Sequence, residues 1–252
     1  MSIATLEKPK NRRREGALLL PDPPPLLNGD HLAVPEFERR YGAMPQVKKA
    51  ELIEGIVVMS PPISNLHAET HGMLGAYLRR YARATPGVSL GLNASIRLDG
   101  KNEYQPHALL RIESGKLAHS KVGPDGLLEG GPEFVAEIAV SSAAYDLHEK
   151  KAVYQRCRVP EYFVWQVVDS QIHSFALERG DYVELEPRTD GVIRSRIFPG
   201  LWLDVRALVA GAEEKVSRTL ERGIKSAEHA TFVKRLATGR SITSGKAGRL
   251  KS

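Results

Sequence analysis

The sequence predicts an α/β fold, a mixed β-sheet flanked by helices and ending in antiparallel hairpins. Three observations predict it. Residues 65–84 carry Leu66, Thr70, Met73, Leu74, Tyr77, Leu78 and Tyr81 at helical spacing, an amphipathic helix that Pro86-Gly87 stops. A helical segment, residues 146–156, lies between two apolar strand-like runs, 134–140 and 162–168. A strand–helix–strand order of that kind implies a βαβ unit with parallel pairing. Asp169-Ser170 and Arg179-Gly180-Asp181 then separate short strands at 172–177 and 182–185, which read as an antiparallel meander.

The remaining elements follow in order. Residues 1–33 hold Arg12, Arg13 and Arg14 and then Pro21, Pro23, Pro24 and Pro25, an extended leader. Residues 34–44 suggest a short helix. Residues 50–59 read as one strand, ended by Ser60-Pro61-Pro62. Residues 88–98 and 104–112 read as two more strands, with a turn at 99–102. A helix from about 212 to 236 packs outside, and residues 238–252, rich in Gly, Ser, Thr and basic groups, form a disordered tail. The expected organisation is therefore a leader (1–33), one α/β domain (34–209), a C-terminal helix (210–237) and a basic tail (238–252).

Bulk properties narrow the function. The chain has 252 residues, 42% of them apolar, and a mean hydropathy of −0.29, ordinary for a globular protein. No run approaches the ~18 apolar residues of a membrane helix. The short apolar run 17–20, followed by prolines, does not make a secretory signal. One cysteine, Cys157, excludes an internal disulfide framework and fits a reducing cytosol, so a cytoplasmic protein without a membrane partner is expected. The net charge of +6 is compatible with a polyanionic partner, although part of it lies in the terminal segments.

Glu137 sits in Phe134-Val135-Ala136-Glu137-Ile138-Ala139-Val140, apolar on both faces. A carboxylate in such a strand is costly unless it is paired or bound to a metal. In the following helix, Asp146 and Glu149 have capping-box spacing, and Lys150 interrupts an inward stripe marked by Leu147, Tyr154 and Cys157. A buried ammonium needs a carboxylate or a phosphate, and Glu137 lies on the strand that feeds this helix. Tyr154 reads as core, and Lys151 as solvated. His107 opens an apolar strand directly after Pro106. A lone histidine there is more often a hydrogen-bonded structural group than a ligand. His67 and His71, four apart on the long helix, superficially resemble a metalloprotease helix, but the Glu is one place late, and a helix-surface or interface role is the better reading.

Five pieces in order, AELIEGIVVMSPP (50–62), NEYQPHALLRI (102–112), EFVAEIAVSSAAYDLHEKKAVY (133–154), VPEYFVWQVVD (159–169) and GVIRSRIFPGLWLD (191–204), resemble the Uma-two restriction endonuclease family of the PD-(D/E)XK nuclease superfamily. The resemblance covers residues 34–209. It implies a restriction-endonuclease-like fold and a DNA endonuclease with a divalent cation, Mg²⁺ or Mn²⁺. It also implies a site made of an Asp after a proline, a Glu in the next central strand, and a Lys. The Glu matches Glu137. The superfamily's Lys position two residues later is Ala139 here, and the Lys matches Lys150 on the following helix. Glu51 matches a glutamate common in the family, as a metal ligand or as the partner of a base.

The Asp position is His107. Catalytic roles are thus expected of Glu137, Lys150 and His107, and metal ligation of Glu137, His107 and Glu51. Imidazole is a poor Mg²⁺ ligand and a better one for Mn²⁺, Zn²⁺ or Ni²⁺. Three outcomes stay open: a changed metal, replacement by a nearby acid such as Glu103 or Glu51, or a domain that binds nucleic acid without cutting it. By analogy with nucleases that cut two strands with two copies, a homodimer is expected.

Overall fold

The computed structural model describes residues 23–140 and 145–239. Helix α1 (Val34–Gly42) starts with proline in its first turn and leads into a hairpin of β1 (Ala50–Ile53) and β2 (Ile56–Met59). Helix α2 (Asn65–Ala84) follows, then β3 (Val88–Leu92), β4 (Ile96–Asp99), β5 (Asn102–Tyr104) and β6 (Ala108–Ile112). Two short strands, β7 (Lys121–Val122) and β8 (Leu128–Glu129), precede β9 (Phe134–Ala139). Helix α3 comprises a π-helical turn, Asp146–Lys150, continued by the α-helical stretch Lys151–Arg156. Then come β10 (Glu161–Gln166), β11 (Gln171–Glu178), β12 (Asp181–Glu184), β13 (Val192–Arg194), β14 (Trp202–Asp204), α4 (Val205–Val209), α5 (Glu213–Ile224) and α6 (Ala227–Gly239). No helix of the described residues is long and apolar enough to cross a membrane.

The strands form two six-stranded sheets and one pair. The larger sheet is ordered β12-β11-β10-β9-β6-β3, the second β2-β1-β5-β4-β8-β7, and β13 pairs with β14. The expected βαβ unit is present, with β9 and β10 parallel across α3, as is the expected meander β10-β11-β12. On β9, Phe134, Ala136 and Ile138 pack toward Leu74, Leu78 and Tyr81 of α2. Val135 and Ala139 pack on the other face, toward Val153, Tyr154 and Tyr162. This is the alternation expected of a strand buried on both sides.

Three expected strands are broken, and one expected helix is two. Residues 50–59 form a hairpin rather than one strand, because Glu54 and Gly55 both take positive φ (52° and 79°), the requirement of a tight hairpin turn. Residues 88–98 divide at Asn93 (φ 50°). Residues 104–112 divide at Pro106, which has no N–H for a ladder. The divisions at Asn93 and Pro106 each move the chain from one sheet to the other, whereas β1 and β2 stay in the same sheet. The C-terminal helix is interrupted at Lys225-Ser226, which separates α5 from α6. The end of the leader also packs: Leu26 is 1% exposed, and the N–H groups of Gly29 and Leu32 donate to the carbonyls of Val57 and Gly55. The packed chain thus begins before residue 34; residues 1–22, and 240–252 of the expected tail, lie outside the described residues.

Glu161 opens β10 and is buried. It accepts from the Ser195 hydroxyl (2.6 Å) and from the Arg196 and Ile197 N–H groups (2.5 and 3.2 Å), tying the β13–β14 loop to the main sheet. Burial outweighs these bonds and pushes its pKa up to about 7. A raised acid makes the native state bind more protons between the ordinary and the raised value, so its contribution is complete below about 4.5 and is lost as pH rises through about 7. At about 1.4 kcal/mol per pH unit this is on the order of 3 kcal/mol. Glu103, raised to about 8 by burial and then by the Glu38 carboxylate, adds to the same slope. Glu161→Gln should therefore flatten, though not abolish, the fall in stability between about pH 5 and 7 in urea titrations. An unchanged slope would refute the assignment.

Candidate active site

Glu137 is fully buried at the centre of β9. Its two oxygens divide their partners. Oε1 accepts from Lys150 Nζ at 3.0 Å and from the Tyr154 hydroxyl at 3.3 Å. Oε2 faces His107 Nδ1 at 2.5 Å and the His107 N–H at 3.3 Å. The register explains the second contact: Ala108 pairs with Ala136, so the residue before β6 lies opposite Glu137. The break at Pro106 delivers His107 there, where the chain enters the main sheet. A carboxylate oxygen 2.5 Å from a bare nitrogen lone pair would be repelled, so Nδ1 carries the ring proton. The Ile138 N–H also approaches Nδ1, at 3.2 Å, a weaker contact that does not decide the tautomer.

Lys150 is the second centre. Its Nζ lies 2.9 Å from Glu51 Oε2, 3.0 Å from Glu137 Oε1 and 3.8 Å from Asp146 Oδ1. Burial alone would lower the ammonium's pKa; the carboxylates of Glu137, Glu51 and Asp146 outweigh it and hold it well above the ordinary lysine range. Burial would likewise raise Glu137, but Lys150 and then His107 hold it well below the ordinary carboxylate range. The π-helical turn brings Asp146 and Lys150 onto one side, and Asp146 does not cap the helix: Tyr145 occupies the cap position without a side-chain bond. Capping spacing was therefore a misleading signal, because the carboxylate faces the lysine instead.

Glu51 comes from β1 of the second sheet. Its Oε1 accepts the Gln105 N–H at 2.7 Å, and Lys49 Nζ lies 3.9 Å away. The structure thus joins Glu137, Lys150, His107 and Glu51, four residues from different elements. It does not bring in Glu103, whose side chain lies with Arg97 and Glu38. Tyr154 is core, as expected, but its hydroxyl also reaches Glu137. Lys151 is not merely solvated, since its Nζ lies 3.7 Å from the centre of the Phe175 ring.

His67 and His71 line the same place from the first turns of α2. Their rings lie 4.6 and 5.6 Å from that of His107, and His71 Nε2 meets the His107 carbonyl oxygen at 2.6 Å. Burial, and then the neighbouring His107 and His71, push His67 down to about 4, so it is uncharged at neutral pH. Helical spacing put both histidines on one face, but nothing in the sequence said that the face meets His107.

The family resemblance in the sequence implies a divalent cation at this centre. Lys150 and Tyr154 leave Glu137 Oε2 as the carboxylate oxygen next to the imidazole. Both Glu51 oxygens are engaged, by Lys150 and by the Gln105 N–H. Among the described residues no group of three His, Cys, Asp or Glu side chains is disposed to hold a metal ion. Glu137 Oε2 and His107 Nδ1 already share a proton at 2.5 Å, so a cation would bind between them only by taking that proton's place.

Comparison with known proteins bears on the fold and the family. A solved structure described as a "putative nuclease belonging to DUF820" from Anabaena variabilis superposes with a TM-score of 0.51 at 11% identity. The superposition covers 68% of this chain and 96% of that one, a likeness of fold. No functionally curated protein matches the chain. The family described as "Uma2: Putative restriction endonuclease" matches residues 34–206, all the elements that build the site. The chain belongs to the Uma2 restriction endonuclease family.

Proposed function

We propose that the chain is a divalent-cation-dependent endonuclease that hydrolyses DNA phosphodiester bonds at Glu137, Lys150 and His107. The observation that carries this reading is the buried Lys150 ammonium between Glu137 and Glu51, with His107 on the far oxygen of Glu137. Three buried carboxylates, Glu51, Glu137 and Asp146, surround one buried ammonium. Carboxylates gathered in this way would repel a phosphate, and a cation bound at Glu137 would offset that repulsion.

Glu137 and His107 would hold the cation in place of the proton now between Oε2 and Nδ1, and when bound it supplies charge neutralisation and a more acidic water. Lys150 supplies the rest. Two of its three N–H groups are satisfied by Glu137 and Glu51, and Asp146 at 3.8 Å lies beyond hydrogen-bond distance. The third N–H is the one that can meet a phosphate oxygen or the attacking water. Glu51 and Tyr154 act through these groups as positioning residues. Cutting opposite strands would use two copies in a homodimer, and a DNA substrate suits a cytoplasmic protein.

The test is nicking of supercoiled plasmid with Mg²⁺, Mn²⁺, Co²⁺ or Ni²⁺. Nicking is expected with Mn²⁺, none with a chelator, and none from Glu137→Gln. Absence of nicking with every ion sinks the proposal. One observation favours a second reading, a nucleic-acid-binding module without cleavage: His107 closes on Glu137 where a second carboxylate would have opened a metal site. That reading predicts salt-sensitive DNA binding and no nicking under the same conditions.

A further inference from the structure

Charge is distributed unevenly along the chain. Residues 1–204 hold 25 Lys and Arg against 26 Asp and Glu, whereas residues 205–252 hold 11 against 4. The entire positive surplus therefore lies in the last fifth of the sequence. That part follows the family match, which ends at residue 206, so membership of the family does not account for it.

Helix α5 gives part of this charge a shape. Val216, Thr219, Leu220 and Gly223 turn inward. Lys215, Arg218, Arg222 and Lys225 recur at helical spacing along one flank, are all exposed, and line one shallow concavity with Thr219 and Glu221. Ten residues at ~1.5 Å rise make a stripe of roughly 15 Å. A duplex strand advances ~3.4 Å per phosphate, so the stripe spans about four phosphates.

The present partners of these cations are weak ones. Lys215 lies 3.3 Å from Asp204 and Arg218 lies 3.8 Å from Glu214, with the cationic side chains 58% and 70% exposed. The Arg218–Glu214 pair is exposed on both sides and exchanges readily for a phosphate, and Lys215 reaches the buried Asp204 from solvent. Glu221, the acid beside the stripe, is already tied to Arg80 of α2.

We propose that this flank of α5 is a docking surface for the phosphate backbone of duplex DNA, separate from the Glu137–Lys150 centre. It supplies affinity without reading sequence. The choice of DNA rests on the nuclease reading; the stripe itself does not.

The test uses the full chain with Lys215→Gln, Arg218→Gln, Arg222→Gln and Lys225→Gln combined. Binding of a fluorescent duplex is followed by anisotropy across a NaCl series, in chelator so that cleavage plays no part. Each phosphate contact contributes about 0.9 to the slope of log affinity against log salt. The variant should lose about 3–4 from the slope and bind at least about tenfold more weakly at moderate salt. A control with Lys116→Gln and Arg188→Gln, exposed cations elsewhere, should leave both unchanged. A slope within about one of the wild type, an equal loss in the control, or a loss of binding only to anionic vesicles would overturn the proposal. Circular dichroism melts confirm folding, which four exposed side chains should not disturb. Failure of the nuclease reading would look different: no nicking with any ion, while the salt slope of wild type and of Glu137→Gln stays the same.

Discussion

Lys150→Ala is expected to destabilise the fold by about 3–5 kcal/mol and to abolish DNA cleavage. Removing one partner of a buried ion pair costs more than the pair is worth, because the other charge stays behind without compensation. Here two buried carboxylates, Glu137 and Glu51, lose the ammonium they both hold at about 3 Å. The pH dependence follows in sign. In the wild type Glu137 is held low, so its contribution is present above about 4.5 and is lost as pH falls; Lys150 is held high, so its contribution is present throughout the neutral range. In the variant, burial acts on Glu137 without Lys150 to oppose it, and protonation relieves the cost. The deficit measured by urea unfolding should thus be largest near pH 8 and shrink toward pH 5. Adding Glu137→Gln to Lys150→Ala should recover part of it, as expected for two groups that act on each other. A deficit below about 1 kcal/mol at pH 8 would mean that the ammonium is not the cation holding this cluster together.

The part of this site visible in sequence was the part that breaks a pattern. A glutamate in a doubly apolar strand and a lysine on an apolar helical stripe each require a partner, and the strand–helix connection between them makes each the nearest candidate for the other. Their 3.0 Å contact follows from that argument. Glu51 is different. It reaches Lys150 from another sheet, and no local pattern specifies how two sheets meet, so only the family resemblance pointed to it. Asp146 was legible as an acid but not in its role, because one carboxylate at that position can serve either a capping box with Glu149 or a salt bridge to Lys150. The strand breaks were hidden for a related reason. Residues 88–98 and 104–112 keep an apolar character on both sides of Asn93 and Pro106, so hydrophobicity runs on where the backbone turns away. Periodicity reports which face is buried, not which sheet buries it. The long helix at 65–84 was recovered in full because Ser64 and Pro86 bound it and twenty residues average out local exceptions.

His107→Asp should change the metal preference of the centre and make its stability depend on the ion. An aspartate at this position would place a second carboxylate opposite Glu137 Oε2, where His107 Nδ1 now sits at 2.5 Å. Two buried carboxylates at such a separation cannot both ionise without a cation between them. Without metal the variant should therefore melt below the wild type, and addition of Mg²⁺ or Mn²⁺ should restore it, because an ion that binds only the folded state stabilises by mass action. In the wild type the same additions should have a small effect, since the imidazole proton already answers the Glu137 charge. For cleavage, an oxygen pair suits Mg²⁺, so the variant should exceed the wild type with Mg²⁺ by at least roughly 10–100-fold, the scale of changes to the outer-shell partners of metal ligands, which a direct ligand change should match or exceed. Cleavage by the wild type with Mn²⁺ and by the variant with Mg²⁺ would identify His107 as a working ligand that has shifted the choice of ion. Cleavage by the variant alone would show that histidine silenced the centre, and it would move the role of this chain from cutting DNA to holding it.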